Sequence, residues 1–147
     1  MSSGGNKAIV RRFIDEVWNK RDFAVLDELV APDYTWRNAS ATAAAHGPQF
    51  LKRIVTELWS ACPDAAHSIE DMLAEGDRVV TRVVMRGTHQ GDLPWGPHDS
   101  IIKPTGKKVT VGGILISRIA DGRIVEDWEG FEFANLWQQL GALPAPE

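Results

Sequence analysis

Residues 116–132, ISRIADGRIVEDWEGFE, carry an Asp-Gly pair at positions 121 and 122 between two runs of β-branched and apolar residues. A two-residue type I′ turn needs positive φ at both central positions, and Asp-Gly meets that need well. The sequence therefore predicts a β-hairpin. With a two-residue turn, Ala120 faces Arg123, Ile119 faces Ile124, and an uninterrupted ladder ends with Gly112 opposite Phe131.

This register divides the hairpin into two faces, because side chains in a strand alternate with period two. One face carries Gly112, Ile114, Ile116, Val125, Asp127, Glu129 and Phe131; the other carries Val111, Leu115, Ser117, Glu126, Trp128 and Glu132. A carboxylate among apolar groups loses solvation, which raises its pKa towards the range of a general acid or base at neutral pH. Asp127 and Glu129 are therefore the candidate catalytic residues. The alternative is that both acids point to water.

A second candidate site lies earlier in the chain, where Tyr34, Trp36 and Asn38 alternate onto one face of a short predicted strand. Aromatic side chains and an amide on one face can line a pocket and orient a carbonyl group or a water molecule. The alternative is that Trp36 is a core residue and Asn38 begins a turn.

The bulk properties indicate one domain over residues 1–147, with 1–5 and 142–147 predicted as flexible tails. Apolar residues make up 44% of the chain, which is enough to bury a core. A net charge of -4 lacks the basic surface of a nucleic-acid-binding protein. No apolar run is long enough to cross a bilayer, so we expect a cytoplasmic protein without membrane contact.

Metal and redox chemistry find no support in the sequence. Cys62 is the only cysteine, which excludes an internal disulfide and a CxxC motif. His46, His89 and His98 fall in predicted loops, and none has a partner at metal-ligand spacing. We therefore expect no metal site. His46 and Trp95 are candidates for the border of a pocket.

The periodicity of apolar residues predicts helices first and strands afterwards. Helices are predicted over 6–20, over 23–30 with Asp22 as its cap, from Pro48 to a stop at 62–64, and over 134–140. Strands are predicted over 34–38, 67–74, 78–88, 107–119 and 124–133, with loops over 39–48 and 89–106. This order is typical of an α+β fold in which helices pack on one face of an antiparallel sheet.

This order resembles the SnoaL-like polyketide cyclase family of the nuclear transport factor 2-like superfamily. Three segments carry the resemblance: FIDEVWNKRDFAVLDELVAPDY at 13–34, GPQFLKRIVTELWSACPD at 47–64 and PTGKKVTVGGILISRIADGRIVEDWEGFE at 104–132. The resemblance implies a cone-shaped barrel, in which a strongly curved, mainly antiparallel sheet wraps around a deep apolar pocket that the N-terminal helices cover.

The resemblance also implies a cofactor-independent enzyme that removes a proton next to a carbonyl group of an apolar small molecule, leading to intramolecular aldol-type cyclisation or isomerisation. Glu129 would be the base and Asp127 its partner or proton donor. The substrate-binding residues would be Tyr34, Trp36, Asn38, Trp59, Ile114, Ile116 and Phe131.

Three alternatives remain open, because this superfold hosts several functions. The chain could be a non-catalytic binding or dimerisation domain. It could resemble limonene-type epoxide hydrolases, in which Asn38, Glu129 and the guanidinium of Arg82 would match, although Val84 occupies the position of the second expected Asp. It could shuttle a proton like a ketosteroid isomerase, with Tyr34 as the oxyanion donor.

We also expect a homodimer, because the second hairpin face would otherwise expose the large apolar side chains of Val111, Leu115 and Trp128. Arg82 and Arg86 alternate with Val83 and Met85, so they are predicted on the outer or subunit-facing side of the sheet, where surface ion pairs are the simplest role.

Overall fold

The computed structural model describes residues 2–143. The helices are α1 (Ser3–Arg12), which continues as a π-helical segment (Phe13–Trp18), α2 (Phe23–Leu29), α3 (Pro48–Ala61) and α4 (Phe133–Gln139). The strands are β1 (Val30–Asn38), β2 (Ala44–His46), β3 (Ala66–Glu75), β4 (Arg78–Thr88), β5 (Lys108–Ala120) and β6 (Arg123–Phe131). Every predicted helix and strand is present, and β2 is an additional strand within the predicted 39–48 loop.

Local side-chain contacts explain where the helices begin. Ser2 caps α1, since its Oγ accepts a hydrogen bond from the N–H of Gly5 at 3.1 Å, so residues 3–5 form a helical turn where a flexible tail was predicted. Asp22 caps α2 as predicted, because its Oδ1 accepts from Val25 N–H at 3.1 Å. Residues 1 and 144–147, which belong to the predicted tails, lie outside the described residues.

The six strands form one curved, open sheet in the order β2-β1-β6-β5-β4-β3. All neighbours are antiparallel except β1 and β6, which run parallel. The helices cover the inner face, where α1 and its π-helical extension bury Val10, Phe13, Ile14 and Val17. The predicted α+β fold with a curved, mainly antiparallel sheet is therefore confirmed. Within residues 2–143, none of the helices has the length and apolar character needed to span a membrane.

The hairpin between β5 and β6 differs from the predicted register beyond its turn. Asp121 and Gly122 have φ of 52° and 75°, as a type I′ turn requires, and Ile119 pairs with Ile124 as predicted. A β-bulge then places Arg118 opposite Glu126 instead of opposite Val125, so every later pair is shifted by one residue.

This shift changes which residues share a face. Ser117 pairs with Asp127 and Leu115 with Glu129, so these side chains and Val111 lie on the inner face. Ile114, Ile116 and Trp128 lie on the outer face. The predicted grouping of Ile114 and Ile116 with the two acids is therefore wrong, and so is the predicted exposure of Val111 and Leu115.

Candidate active site

The inner face of the sheet, helices α3 and α4, and the 89–106 segment enclose a cavity of about 590 Å³. Trp and Phe side chains form a large part of its wall: Trp18, Trp36, Phe50, Trp95, Phe131, Phe133 and Trp137. A concave and largely apolar cavity of this size is typical of a site for a small organic ligand.

Glu129 is the carboxylate that β6 directs to this cavity. The pKa of Glu129 is raised from 4.5 to about 7, chiefly by burial and also by the negative charge of Asp127, while the neighbouring Trp36 indole opposes the shift. The Trp36 Nε1 atom is enclosed beside this carboxylate without meeting hydrogen-bond geometry to any partner among the described residues. Glu129 is therefore divided between its ionised and protonated forms near neutral pH, as a general base requires.

Asp127 lies behind Glu129 and does not line the cavity. It is 0% exposed. Its Oδ2 accepts a hydrogen bond from the Tyr34 hydroxyl at 2.7 Å, and its Oδ1 accepts one from Ser117 Oγ at 2.5 Å. Burial raises the pKa of Asp127 to about 6, although these two hydrogen bonds oppose the shift. Both oxygens are occupied by protein donors, so Asp127 acts on Glu129 through its charge.

The structure separates the predicted substrate-binding residues into three groups. Trp36 and Phe131 line the cavity. Tyr34 and Trp59 belong to the core beside it, where Tyr34 bonds to Asp127 and Trp59 Nε1 donates to the Trp18 carbonyl at 2.9 Å.

The third group lies away from the cavity. Asn38 ends β1 in a turn, where its Nδ2 donates to Thr42 Oγ1 at 2.8 Å. Ile114 and Ile116 face outwards because of the bulge. These three residues do not meet the cavity, and the turn interpretation of Asn38 is the one the structure shows.

The 89–106 segment contributes residues 94–96, 98 and 99 to the cavity wall. Its Trp95 lines the cavity as predicted, and it is fixed from both sides: Nε1 donates to Glu57 Oε2 at 2.6 Å, and its carbonyl accepts from Trp137 Nε1 at 2.8 Å. His46, the other predicted border residue, is exposed and contacts Thr35 instead.

Several cavity residues escaped prediction from the sequence. Arg53 and Glu57 on α3 line the wall, as does His67 on β3. Arg53 and Glu57 flank the apolar stripe of α3, and nothing in the sequence marks that edge of the stripe as facing a cavity. His67 lies at the start of a predicted strand, and nothing local in the sequence marks its side chain as facing a cavity.

Comparison with known proteins identifies the family. The sequence profile of the SnoaL-like polyketide cyclases matches residues 8–140. The chain belongs to this family. No curated protein matches its sequence significantly.

Solved structures agree with this membership in the SnoaL-like family. AclR of Streptomyces galilaeus, described as a proposed hydroxylase, is 25% identical with a TM-score of 0.82, over 99% of this chain and 87% of that chain. IdmH of Streptomyces antibioticus, described as a proposed polyketide cyclase, is 28% identical with a TM-score of 0.74, over 92% and 98%. TsrD of Streptomyces laurentii is 25% identical with a TM-score of 0.81, over 97% and 99%. A cyclase-type function is thus supported at the level of the family.

The epoxide hydrolase alternative lacks its residues in this SnoaL-like protein. Arg82 points outwards and pairs with Asp71, with Nη2 and Oδ2 at 2.7 Å, which is the predicted surface ion pair. Within residues 2–143, no cluster of three or more His, Cys, Asp or Glu side chains is arranged to hold a metal ion. Among the described residues that line the cavity, Glu129 is the ionisable group whose pKa is raised.

Proposed function

We propose that this SnoaL-like protein catalyses a cofactor-independent intramolecular aldol-type cyclisation of an apolar carbonyl compound, with Glu129 as the general base. The observation that carries the proposal is the Glu129 carboxylate on the wall of an aromatic cavity, with a pKa raised to about 7 by burial. A base of that strength can remove a proton made acidic by an adjacent carbonyl group, and it can return the proton later.

The reaction needs one proton to be moved twice. Ionised Glu129 removes a proton from the carbon next to a ketone, and the electron pair of that C–H bond forms an enolate. The enolate carbon attacks a second carbonyl group of the same molecule, forming a C–C bond and an alkoxide. Protonated Glu129 then returns its proton to the alkoxide. The cavity contributes by holding the chain folded near this attack geometry and by excluding water.

Asp127 takes a positioning role in this scheme instead of the proton-donor role that the sequence suggested. Its two oxygens accept from Tyr34 and Ser117, and its side chain is fully buried behind the cavity wall. A proton donor must reach the reacting atoms, whereas a fixed charge acts at a distance on the pKa of its neighbour. The same enclosure argues against Tyr34 as an oxyanion donor to a ligand.

Isomerisation by proton transfer is the second candidate, because it shares the first step. Glu129 would return the proton to a different carbon of the enolate, and no second carbonyl group would be needed. Cyclisation is favoured over isomerisation because the family is one of polyketide cyclases.

The test measures the shared first step with a small ketone as the probe. We expect the protein to accelerate exchange of the α-protons of 2-tetralone for deuterium, followed by NMR in deuterated buffer. Glu129→Gln should lose about 10²- to 10⁴-fold of this acceleration, the usual contribution of a positioned general base. The wild-type rate should rise with pH through about 7, because only the ionised carboxylate accepts the proton.

Glu126→Gln is the matched control, since Glu126 lies on the same strand but pairs with Arg37 on the outer face. This variant should keep the wild-type rate. Undiminished exchange in Glu129→Gln would overturn the role of Glu129. Binding of 2-tetralone to the wild type without any exchange would overturn catalysis and favour a non-catalytic binding protein.

A further inference from the structure

His67 and Glu129 lie at opposite ends of the cavity. His67 on β3 pairs with Met85 on β4, which pairs with Val111 on β5; Glu129 on β6 pairs with Leu115 on β5. The two residues are thus three strand spacings apart across the sheet and four positions apart along it, or about 14 Å and about 13 Å before curvature. A ligand that fills the cavity meets both.

Asn19 fixes the orientation of the His67 side chain. The Oδ1 atom of Asn19 accepts from the backbone N–H of His67 at 2.7 Å, and Asn19 Nδ2 donates to the His67 carbonyl at 2.9 Å. These two backbone contacts exclude a flipped amide, so Oδ1 is the atom that faces His67 Nδ1 at 3.3 Å. An acceptor in that position requires a proton on Nδ1.

The other ring nitrogen of His67 is therefore a hydrogen-bond acceptor. Burial lowers the pKa of His67 to about 4, so the imidazole is neutral at pH 7 and Nε2 carries a lone pair. Within residues 2–143, Nε2 has no hydrogen-bond partner from the protein. It is also absent from the enclosed polar atoms that lack a partner, so it is open to the cavity that His67 lines.

The surroundings of His67 make this acceptor selective. The Trp18 ring packs against the imidazole with centroids 5.2 Å apart, and Met85 is its cross-strand neighbour. An apolar ligand that displaces water from this end leaves Nε2 without a partner, which costs free energy, whereas a ligand with a donor replaces the lost hydrogen bond.

We propose that His67 Nε2 accepts a hydrogen bond from a hydroxyl group of the ligand, so that the cavity selects hydroxylated apolar compounds whose hydroxyl lies far from the carbon that faces Glu129. The statement that this ligand is a substrate rests on the proposed function. The preference of the cavity for a hydroxyl group does not depend on it. His67 is thereby a specificity-determining residue, and its contacts with Asn19 serve to present Nε2 to the cavity.

The first test compares two ligands that differ in a donor. Calorimetry gives the Kd of 2-naphthol and of 2-methoxynaphthalene, in which a methyl group caps the hydroxyl. We expect the ratio of the two Kd values to favour 2-naphthol in the wild type and to fall by about five- to tenfold in His67→Phe, the usual worth of one hydrogen bond. Phe keeps a ring against Trp18. An unchanged ratio in His67→Phe would overturn the proposal.

Glu129→Gln separates this inference from the proposed function. The variant should lose proton exchange with 2-tetralone and keep the wild-type preference for 2-naphthol. Loss of the preference in Glu129→Gln but not in His67→Phe would show that the hydroxyl contacts Glu129, which contradicts the proposal.

A second measurement needs no folded variant. Nitrogen NMR of the imidazoles in the wild-type protein should show a protonated Nδ1 and an unprotonated Nε2 for His67, with the Nε2 signal shifting when 2-naphthol binds. A proton on Nε2 in the free protein would overturn the proposal that His67 Nε2 is an acceptor. An Nε2 signal that does not shift at saturating 2-naphthol would overturn it as well.

Discussion

On the inner face of β6, Glu129 lines an aromatic cavity and has a pKa raised to about 7, whereas Glu126 on the outer face pairs with two arginines. Glu126 Oε2 lies 3.0 Å from Arg37 Nε, and Oε1 lies 3.3 Å from Arg118 Nε. The two residues have the same side chain and are separated by three positions. Solvation and nearby charge, not residue type, therefore decide which carboxylate can act as a base at neutral pH.

The largest expected effect tests which residues of β5 lie on which face. Leu115→Ala should lower the free energy of unfolding by about 2–5 kcal/mol, because Leu115 is 4% exposed and its truncation leaves a cavity in the core. Ile114→Ala should change it by about 0.5 kcal/mol, because Ile114 is 51% exposed. Urea unfolding at two protein concentrations separates side-chain burial from any association.

A larger loss of unfolding free energy in Ile114→Ala than in Leu115→Ala would contradict the bulge and favour the uninterrupted register. Because the two positions are adjacent on one strand, each variant is the control for the other.

The bulge marks the limit of what the sequence alone could predict. The Asp121-Gly122 turn and the first pairs followed from turn chemistry, but a single extra residue in β6 inverts the faces of everything beyond it. A signal was present, since only the bulged register places Arg118 opposite Glu126 and Ser117 opposite Asp127. Pairing of charges and hydrogen-bonding groups across the strands favours that register, whereas alternation of apolar residues does not distinguish the two.

Some residues of the candidate site could be predicted from the sequence, and others could not. Glu129 could be chosen because it alternates with Asp127 on a largely apolar strand, and Trp36 because it alternates with Tyr34 on one face of a short strand. His67 could not, because its role depends on Asn19, which lies 48 residues away and meets it only in the folded chain. Contacts of that kind are set by the packing of α1 and its π-helical extension on β3, which no local pattern encodes.

The outer face differs from the inner face in another way, because it exposes an apolar row across four strands. Leu73 pairs with Val80, Val80 with Ile116, and Ile116 with Trp128. Leu73 is 69% exposed and Val80 37% exposed. We propose that this row is the contact surface of a homodimer, since a second copy would bury the same apolar groups on both chains.

Val80→Asp should raise the dissociation constant of that dimer by at least about tenfold, since it buries a charge in the contact. Light scattering after size exclusion, over a range of protein concentrations, gives the mass. Ile101→Asp is the matched control, because Ile101 is an exposed isoleucine in the 89–106 segment, outside the row. A wild-type monomer at micromolar concentration would refute the dimer.

The smallest expected effect separates Asp127 from Glu129 on the inner face itself. Asp127→Asn removes the charge while keeping the shape, and the hydroxyls of Tyr34 and Ser117 can accept as well as donate. Because the charge of Asp127 raises the pKa of Glu129, its removal should lower that pKa. The rising limb of the rate of 2-tetralone exchange should therefore move to lower pH by less than about one unit.

The pH profile distinguishes a positioning role from a catalytic one. If Asp127 acts only through its charge, the plateau rate above pH 8 stays close to that of the wild type while the limb moves. If Asp127 instead exchanged protons with the ligand, the plateau itself would fall by about 10²-fold or more and the limb would not report on Glu129. Glu126→Gln removes a charge from the other face of the same strand, and its limb should stay in place. A limb that moved equally in both variants would show that the charge of the whole strand, not the buried neighbour, sets the strength of the base.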